Sequence, residues 1–203
     1  IRTPMNGVIG FSELLLNTNL DATQREYMNT LNQSAHGLLD IINDVLDFSK
    51  IEAGILELVI ERTDLNELSK QVTDIVSFQA RKKNIQMVLN FSDNLPRFIW
   101  ADSVRLRQVL INLLGNAVKF TEKGKVELIV ELVPDSKFQV SSDSNTEALG
   151  MKSETVRFSV HDTGIGIKPE NQSKIFLAFS QEDSTTSKKF GGTGLGLAIS
   201  NTL

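Results

Sequence analysis

The sequence predicts an α+β protein: an N-terminal antiparallel helical hairpin, followed by a domain with helices layered on one face of a sheet. Three observations predict it. Met28, Leu31, Ala35, Leu38, Ile42 and Val45 recur at alternating spacings of three and four, the seam of a coiled coil or helix bundle. After Gly54 the pattern changes to short apolar runs that alternate with capped helices. Near the C-terminus, Gly191-Gly192-Thr193-Gly194-Leu195-Gly196-Leu197 packs four glycines into seven residues and runs into an apolar helical segment. Glycine lets backbone approach a ligand closely, and a helix start offers unpaired N–H groups to an anion. That is a phosphate-binding arrangement.

The first helix starts near Pro4, which suits a first turn or a kink. Val8, Ile9, Phe11, Leu14, Leu15 and Leu16 supply its apolar face. Asp21 and Gln24 form a capping-box pattern that opens the second helix. Leu39, Leu46 and Phe48 widen the seam behind it beyond the reach of one partner helix. The hairpin, residues 1–54, is therefore expected to dimerise into a four-helix bundle. The alternative is that this face packs on the chain's own second domain, residues 55–203.

In that second domain, Ile55 to Ile60 reads as a strand, and Asp64 with Glu67 caps a helix to about Lys83. Ile85 to Phe91 reads as another strand. The short segment Phe98-Ile99-Trp100 precedes Asp102, which caps a long helix to about Phe120. Val126 to Val133 and Val156 to Val160 read as paired strands. Between them, residues 134–154 are rich in Ser, Asp, Asn and Lys and read as an exposed loop. Pro169 is expected to open another helix.

Composition narrows the function. The 203 residues carry a formal net charge of −4 with no basic run, which argues against a nucleic-acid binder. The absence of cysteine excludes disulfides and thiolate metal sites. No apolar run reaches membrane-spanning length, and no signal peptide is visible. The chain starts at Ile1 and ends inside an apolar pattern at Leu203, so it reads as a fragment of a larger protein.

Two further stretches carry chemistry. Asn112, Asn116 and Lys119 fall at i, i+4 and i+7, hence on one helix face. Amide oxygens are hard ligands for Mg²⁺, which bridges phosphates, and an ammonium adds positive charge. A solvated polar face is the other reading. Asp162 stands at a strand end before Gly164 and Gly166, where a carboxylate can accept from an exocyclic amine and so select adenine. An ordinary strand-to-loop turn is the alternative there. Neither glycine motif fits a commoner nucleotide fold. The chain has no P-loop, and Leu197 breaks the dinucleotide spacing.

Together, and in this order, the motifs resemble the sensor histidine kinases of two-component signalling, especially the hybrid type. Ile1-Arg2-Thr3-Pro4 resembles the tail of the family's His-Glu-x-Arg-Thr-Pro phosphoacceptor box, and Asp47 to Gly54 the end of its second dimerisation helix. Asn112 to Phe120 is similar to the asparagine box, and Asp162 to Ile167 to the first glycine box. Phe176-Leu177-Ala178-Phe179 resembles the phenylalanine box, and Gly191 to Leu197 the second glycine box.

The resemblance implies a phosphotransfer hairpin followed by an ATP-binding α/β sandwich of the Bergerat type, shared with gyrase, mismatch-repair ATPases and a heat-shock chaperone. It implies that Asn116, helped by Asn112, coordinates Mg²⁺ while Lys119 and the neighbouring Phe120 line the ATP site. Asp162 would bind the adenine amine, with Gly164, Gly166 and Ile167 shaping the base pocket. Phe176 and Phe179 would anchor a lid whose hinge is Gly192, Thr193, Gly194, Leu195 and Gly196. Lys188 stands where relatives often carry an arginine beside the γ-phosphate, and lysine lacks the planar fork. Thr3 stands where relatives position water for dephosphorylating the partner.

The resemblance places the acceptor histidine two residues before Ile1. His36 and His161 lie outside that box; His36 reads as a helix-surface residue, and His161 as structural or part of the pocket wall. The implied activity is ATP-dependent phosphorylation of a histidine and onward transfer to a receiver-domain aspartate, on a response regulator or a fused receiver. These residues alone are expected not to phosphorylate themselves. Hydrolytic cousins usually place a glutamate base where Asn112 sits, so intrinsic ATPase activity is expected to be slow. The expected location is cytoplasmic, with any membrane anchor outside these residues. The alternatives are an ATP-hydrolysing dimer of the same superfamily, or a nucleotide-binding or dimerisation module without kinase activity.

Overall fold

The structure is a computed structural model and describes residues 1–133, 155–180 and 193–203. Its contacts divide the chain into two units: Ile1–Glu57 with Ser173–Leu203, and Leu58–Gln172.

The first unit is built on a hairpin of α1 (Arg2–Leu16) and α2 (Ala22–Glu52). The Asp21 side chain accepts from the Gln24 N–H while Gln24 returns the bond to the Asp21 N–H, so the expected capping box forms. Arg2 bonds Asn43, Asn32 bonds Ser12, and Arg25 donates to the Leu16 carbonyl, a descending pairing that makes the helices antiparallel. Few side chains are buried between them, notably Ile9 and Ala35. Phe11, Leu14, Leu31, Leu38 and Val45 stay exposed, a broad apolar surface left over after the hairpin closes.

The second unit begins with β1 (Glu61–Asp64), which pairs antiparallel with β3 (Phe98–Ala101). Ile55 to Ile60, expected as a strand, forms none. The pairing ends at Glu61 with Ala101, and the chain then turns at Asp102 into a helix, leaving the earlier residues without a strand to join. The Asp102 carboxylate instead accepts from the Val59 N–H.

Helix α3 (Leu65–Lys82) is capped by Asp64, whose side chain accepts from the N–H groups of Asn66 and Glu67. It ends at Lys83, and Asn84 takes a left-handed φ of 56° that reverses the chain into β2 (Ile85–Phe91). Helix α4 (Ser103–Phe120) is capped by Asp102, which accepts from the Arg105 N–H. Central strand β4 (Gly124–Val133) pairs parallel with β2 and antiparallel with β5 (Thr155–Asp162). Leu65, Leu68, Val72, Val76 and Ala80 of α3 meet Leu110, Leu114 and Val118 of α4 over Val126, Leu128 and Val130. The period-two burial along β4 puts both helices on one sheet face, as expected.

Pro169 opens only a 3₁₀ turn, Pro169–Asn171, and not the longer helix expected. No residue of that turn is buried, so no apolar face carries the pattern onward. The last helix, α5 (Gly196–Thr202), buries Ala198 and Ile199 and packs on α2. That packing groups Ser173–Leu203 with the hairpin, whereas the sequence reading places everything after residue 54 in one domain.

Candidate functional site

Helix α4 commits its apolar stripe of Leu110, Leu114, Ala117 and Val118 to the core. The helical repeat therefore turns Asn112, Asn116 and Lys119 to a different, partly buried face. The Asn116 side-chain amide donates to Oδ1 of Asn112 at 3.3 Å, so the two amides are neighbours, as their spacing predicts. Burial holds the Lys119 ammonium below the usual lysine pKa, and its Nζ lies 5.1 Å from the centre of the Phe120 ring. A partly desolvated cation interacts more strongly with an anion than a fully hydrated one.

The end of α4 meets the Asp162 loop. Strand β5 stops at Asp162, whose Oδ1 accepts from the Gly164 N–H at 2.8 Å. Gly164 lies so close to α4 that an added Cβ would stand 2.6 Å from the Phe120 carbonyl oxygen. The Ile165 N–H donates to that same oxygen at 3.4 Å. Thr163 ties the loop to β4, since its hydroxyl accepts from the Lys125 N–H at 3.1 Å. Gly166 needs its freedom in a different way, through a φ of +70° with open space around it. Asp162 is exposed, and Ile165 and Ile167 present apolar side chains to solvent beside it.

This unit thus brings Asn112, Asn116, Lys119 and Phe120 to the same end of the sheet as Asp162, Gly164, Gly166 and Ile167. The remaining candidates among the described residues fall in the other unit. There, Gly194 has a φ of +70°, and a Cβ on it would lie 3.1 Å from the backbone of Phe179. Its carbonyl accepts from the Phe179 N–H at 3.1 Å. Thr193 donates from its hydroxyl to Asp44 at 3.1 Å and accepts from the Leu195 N–H. Leu195 is fully buried, and Gly196 starts α5. The Phe179 ring packs edge-on to Phe48 at 6.2 Å, while Phe176 is exposed. Burial raises the Asp44 pKa, against the Thr193 bond that lowers it, with Asp40 and Asp47 adding repulsion. Thr3 lies exposed in the first turn of α1. Lys188 and Gly192 lie outside the described residues.

His36 is exposed on α2, 3.8 Å from Glu13, which fits a surface role. His161 is an exposed β5 residue paired opposite Glu127. Among the described residues, no group of three or more His, Asp or Glu side chains is placed to hold a metal. Also among them, no helix is long and apolar enough to cross a membrane. The sequence reading missed the Phe120 carbonyl and the Thr163 hydroxyl as the parts that join α4 to the loop. The Phe120 backbone carbonyl leaves no trace in residue type, but Thr163 between Asp162 and Gly164 is a turn signal.

Residues 101–203 match the family described as "Histidine kinase-, DNA gyrase B-, and HSP90-like ATPase". Residues 1–54 match the "His Kinase A (phospho-acceptor) domain". The chain is 41% identical over 203 residues to the signal transduction histidine-protein kinase BarA of Escherichia coli, spanning all of this chain and 21% of that protein. It is 39% identical over 203 residues to hybrid signal transduction histidine kinase B of Dictyostelium discoideum, spanning 10% of that one. Among solved structures, full-length ShkA in complex with AMPPNP superposes with a TM-score of 0.76 at 41% identity, over 99% of this chain and 38% of that one. Histidine kinase ThkA in complex with response regulator protein TrrA gives a TM-score of 0.54 at 28% identity, over 93% of this chain and 51% of that one.

Proposed function

The chain belongs to the family of histidine kinase-, DNA gyrase B- and HSP90-like ATPases, and we propose that it is the core of an ATP-dependent protein-histidine kinase. The observation that carries this reading is the junction at the Phe120 carbonyl, where the asparagine face of α4 meets the Asp162 loop. A row of amides with an ammonium suits a triphosphate, and an exposed carboxylate beside apolar isoleucines suits an adenine ring. Joined in one unit, the two halves fit one adenine nucleotide.

The donor set also fits Mg²⁺. With no acidic cluster among the described residues to hold the ion by itself, the metal would be shared between protein amides and phosphates, its usual mode in such sites. Asn116, with Asn112 beside it, would hold the ion, which when bound neutralises phosphate charge. Lys119 binds the phosphates from a partly dry position. Asp162 accepts from the adenine amine while its other hydrogen bond to Gly164 keeps the carboxylate in place. Asn112 cannot take a proton from water at neutral pH, so the site lacks a hydrolytic base at that position. An incoming imidazole needs none, since its nitrogen already carries a lone pair. The γ-phosphorus forms a bond to that nitrogen as the bond to the β–γ bridging oxygen breaks, and ADP leaves.

The exposed apolar surface of α1 and α2 supports a homodimer through residues 1–54. Onward transfer goes to a receiver-domain aspartate, on a response regulator or a fused receiver. Thr3, within the expected phosphoacceptor box, would serve the dephosphorylation of the partner by water.

The test extends the chain ahead of Ile1 with a His-Glu pair that completes the box, then supplies labelled ATP and Mg²⁺. Acid-labile, alkali-stable label that disappears in Asn116→Ala is the expected result. Hydrolysis without labelling would select an ATPase instead, and nucleotide binding without turnover a binding module.

A further inference from the structure

The last turn of an α-helix leaves its carbonyls without intrahelical donors, and that end carries partial negative charge. In α4 this turn holds Lys119 and Phe120 and adjoins Asn116, so its position decides where half of the nucleotide site lies. A residue from outside the helix closes it. Lys83 donates from Nζ to the carbonyl oxygens of Val118 and Lys119, each at 2.8 Å, and to that of Thr121 at 3.4 Å. The Phe120 carbonyl, between them, is the one that takes the Ile165 N–H.

The placement follows from the fold. Asn84 turns the chain out of α3, and Ile85 then pairs with Gly124 in parallel register. The residues just before those two strands, Lys83 on one side and Thr121 on the other, are thereby brought side by side. Lys83 is partly buried, and its ammonium reaches across the junction to the C-terminal turn of α4.

We propose that Lys83 is a positioning residue for nucleotide binding: its ammonium clamps the end of α4 so that the Asn116–Phe120 turn stays seated on the Asp162–Ile165 loop. The inference rests on the nucleotide-site reading above and adds a residue that touches no part of the nucleotide in that reading. A lysine that served only general stability would leave affinity unchanged whenever the protein is folded. A clamp on α4 would change affinity in a protein that is still folded.

The test uses the whole chain at a temperature well below its melting transition. Lys83→Met, which keeps the aliphatic stem but loses the donors, is expected to weaken binding of a fluorescent Mg-ATP analogue roughly fivefold or more. Lys83→Arg, which restores charge and donors, is expected to recover most of that loss. Without nucleotide, the amides of Thr121 and Ile165 should exchange about tenfold faster in Lys83→Met, while the amide of Leu128 in the sheet centre stays protected. Should Lys83→Met not fold, Lys83→Gln carries the same comparison. Folded Lys83→Met with wild-type affinity, or with unchanged exchange at Thr121 and Ile165, overturns the proposal. Failure of the nucleotide-site reading looks different: the wild type itself would not bind the analogue, while the exchange measurement would still report on the clamp.

Discussion

Asn116 and Asn112 share a hydrogen bond of 3.3 Å across one turn of α4, and that bond orients both amides on the face that carries Lys119. Removing the Asn116 amide breaks that bond and takes away an oxygen donor for a hard cation. Asn116→Ala is expected to weaken binding of an ATP analogue about tenfold in Mg²⁺. In EDTA the variant and the wild type should bind alike. A loss of the same size with and without the metal would assign Asn116 a direct role on the nucleotide instead. Titration by fluorescence anisotropy separates the two.

Gly164 and Gly166 should respond differently to alanine. A Cβ at Gly164 would stand 2.6 Å from the Phe120 carbonyl oxygen and 2.8 Å from Asp162 Oδ1, and the first of these is backbone that no rotamer change moves. Gly164→Ala should cost about 2 kcal/mol of stability and most of the nucleotide affinity. Gly166→Ala meets no neighbour but must hold a φ of +70°, a cost of about 1 kcal/mol. Denaturant midpoints of the two variants, compared with their affinities, check the ranking.

Lys119 trades stability for function. Its folded pKa is lowered by burial, so over the window from that pKa up to the unfolded value of about 10.4 the unfolded chain binds more protons. Stability from this group therefore rises with pH across that window, and at neutral pH the ammonium is a cost. Lys119→Met is expected to raise the melting temperature by about 2 °C while weakening nucleotide binding roughly tenfold. Lower stability together with weaker binding would contradict this account.

Asp102 should matter at neutral pH and fade in acid. Burial works against its charge, yet N–H groups of Arg105, Val59 and Val104 outweigh that and hold the carboxyl below the usual range. A depressed carboxyl stabilises fully above the unfolded pKa of about 3.9, and the contribution is lost as pH falls through the folded value. Asp102→Ala should cost about 1 kcal/mol at pH 7 through the lost cap. Urea unfolding at lower pH should show the gap to wild type closing.

Much of this was legible in the sequence, because it rests on local rules. Asp21, Asp64 and Asp102 announce three helix starts, and all three side chains make the capping bonds. The spacing of Asn112, Asn116 and Lys119 predicts one face because helical periodicity is fixed. Other features depend on partners far along the chain. Ile55 to Ile60 has strand composition but no strand to pair with, and Pro169 has a helix-start signal but no apolar face behind it. The meeting of α4 with the Asp162 loop passes through a backbone carbonyl, and the Lys83 bonds depend on the register of β2 with β4. Neither can be read from residue types.

The parallel pairing of β2 with β4 also bears on how the chain acquires its shape during synthesis. Strand β2 emerges from the ribosome before β3 and α4, yet the edge it must join belongs to β4, which is made after both. Until then its apolar run of Ile85, Met87, Leu89 and Phe91 lacks the central strand it pairs with. Such long-range pairings form late and leave a growing polypeptide open to aggregation. Slowing translation just before Gly124 should therefore lengthen the time during which this polypeptide depends on a chaperone.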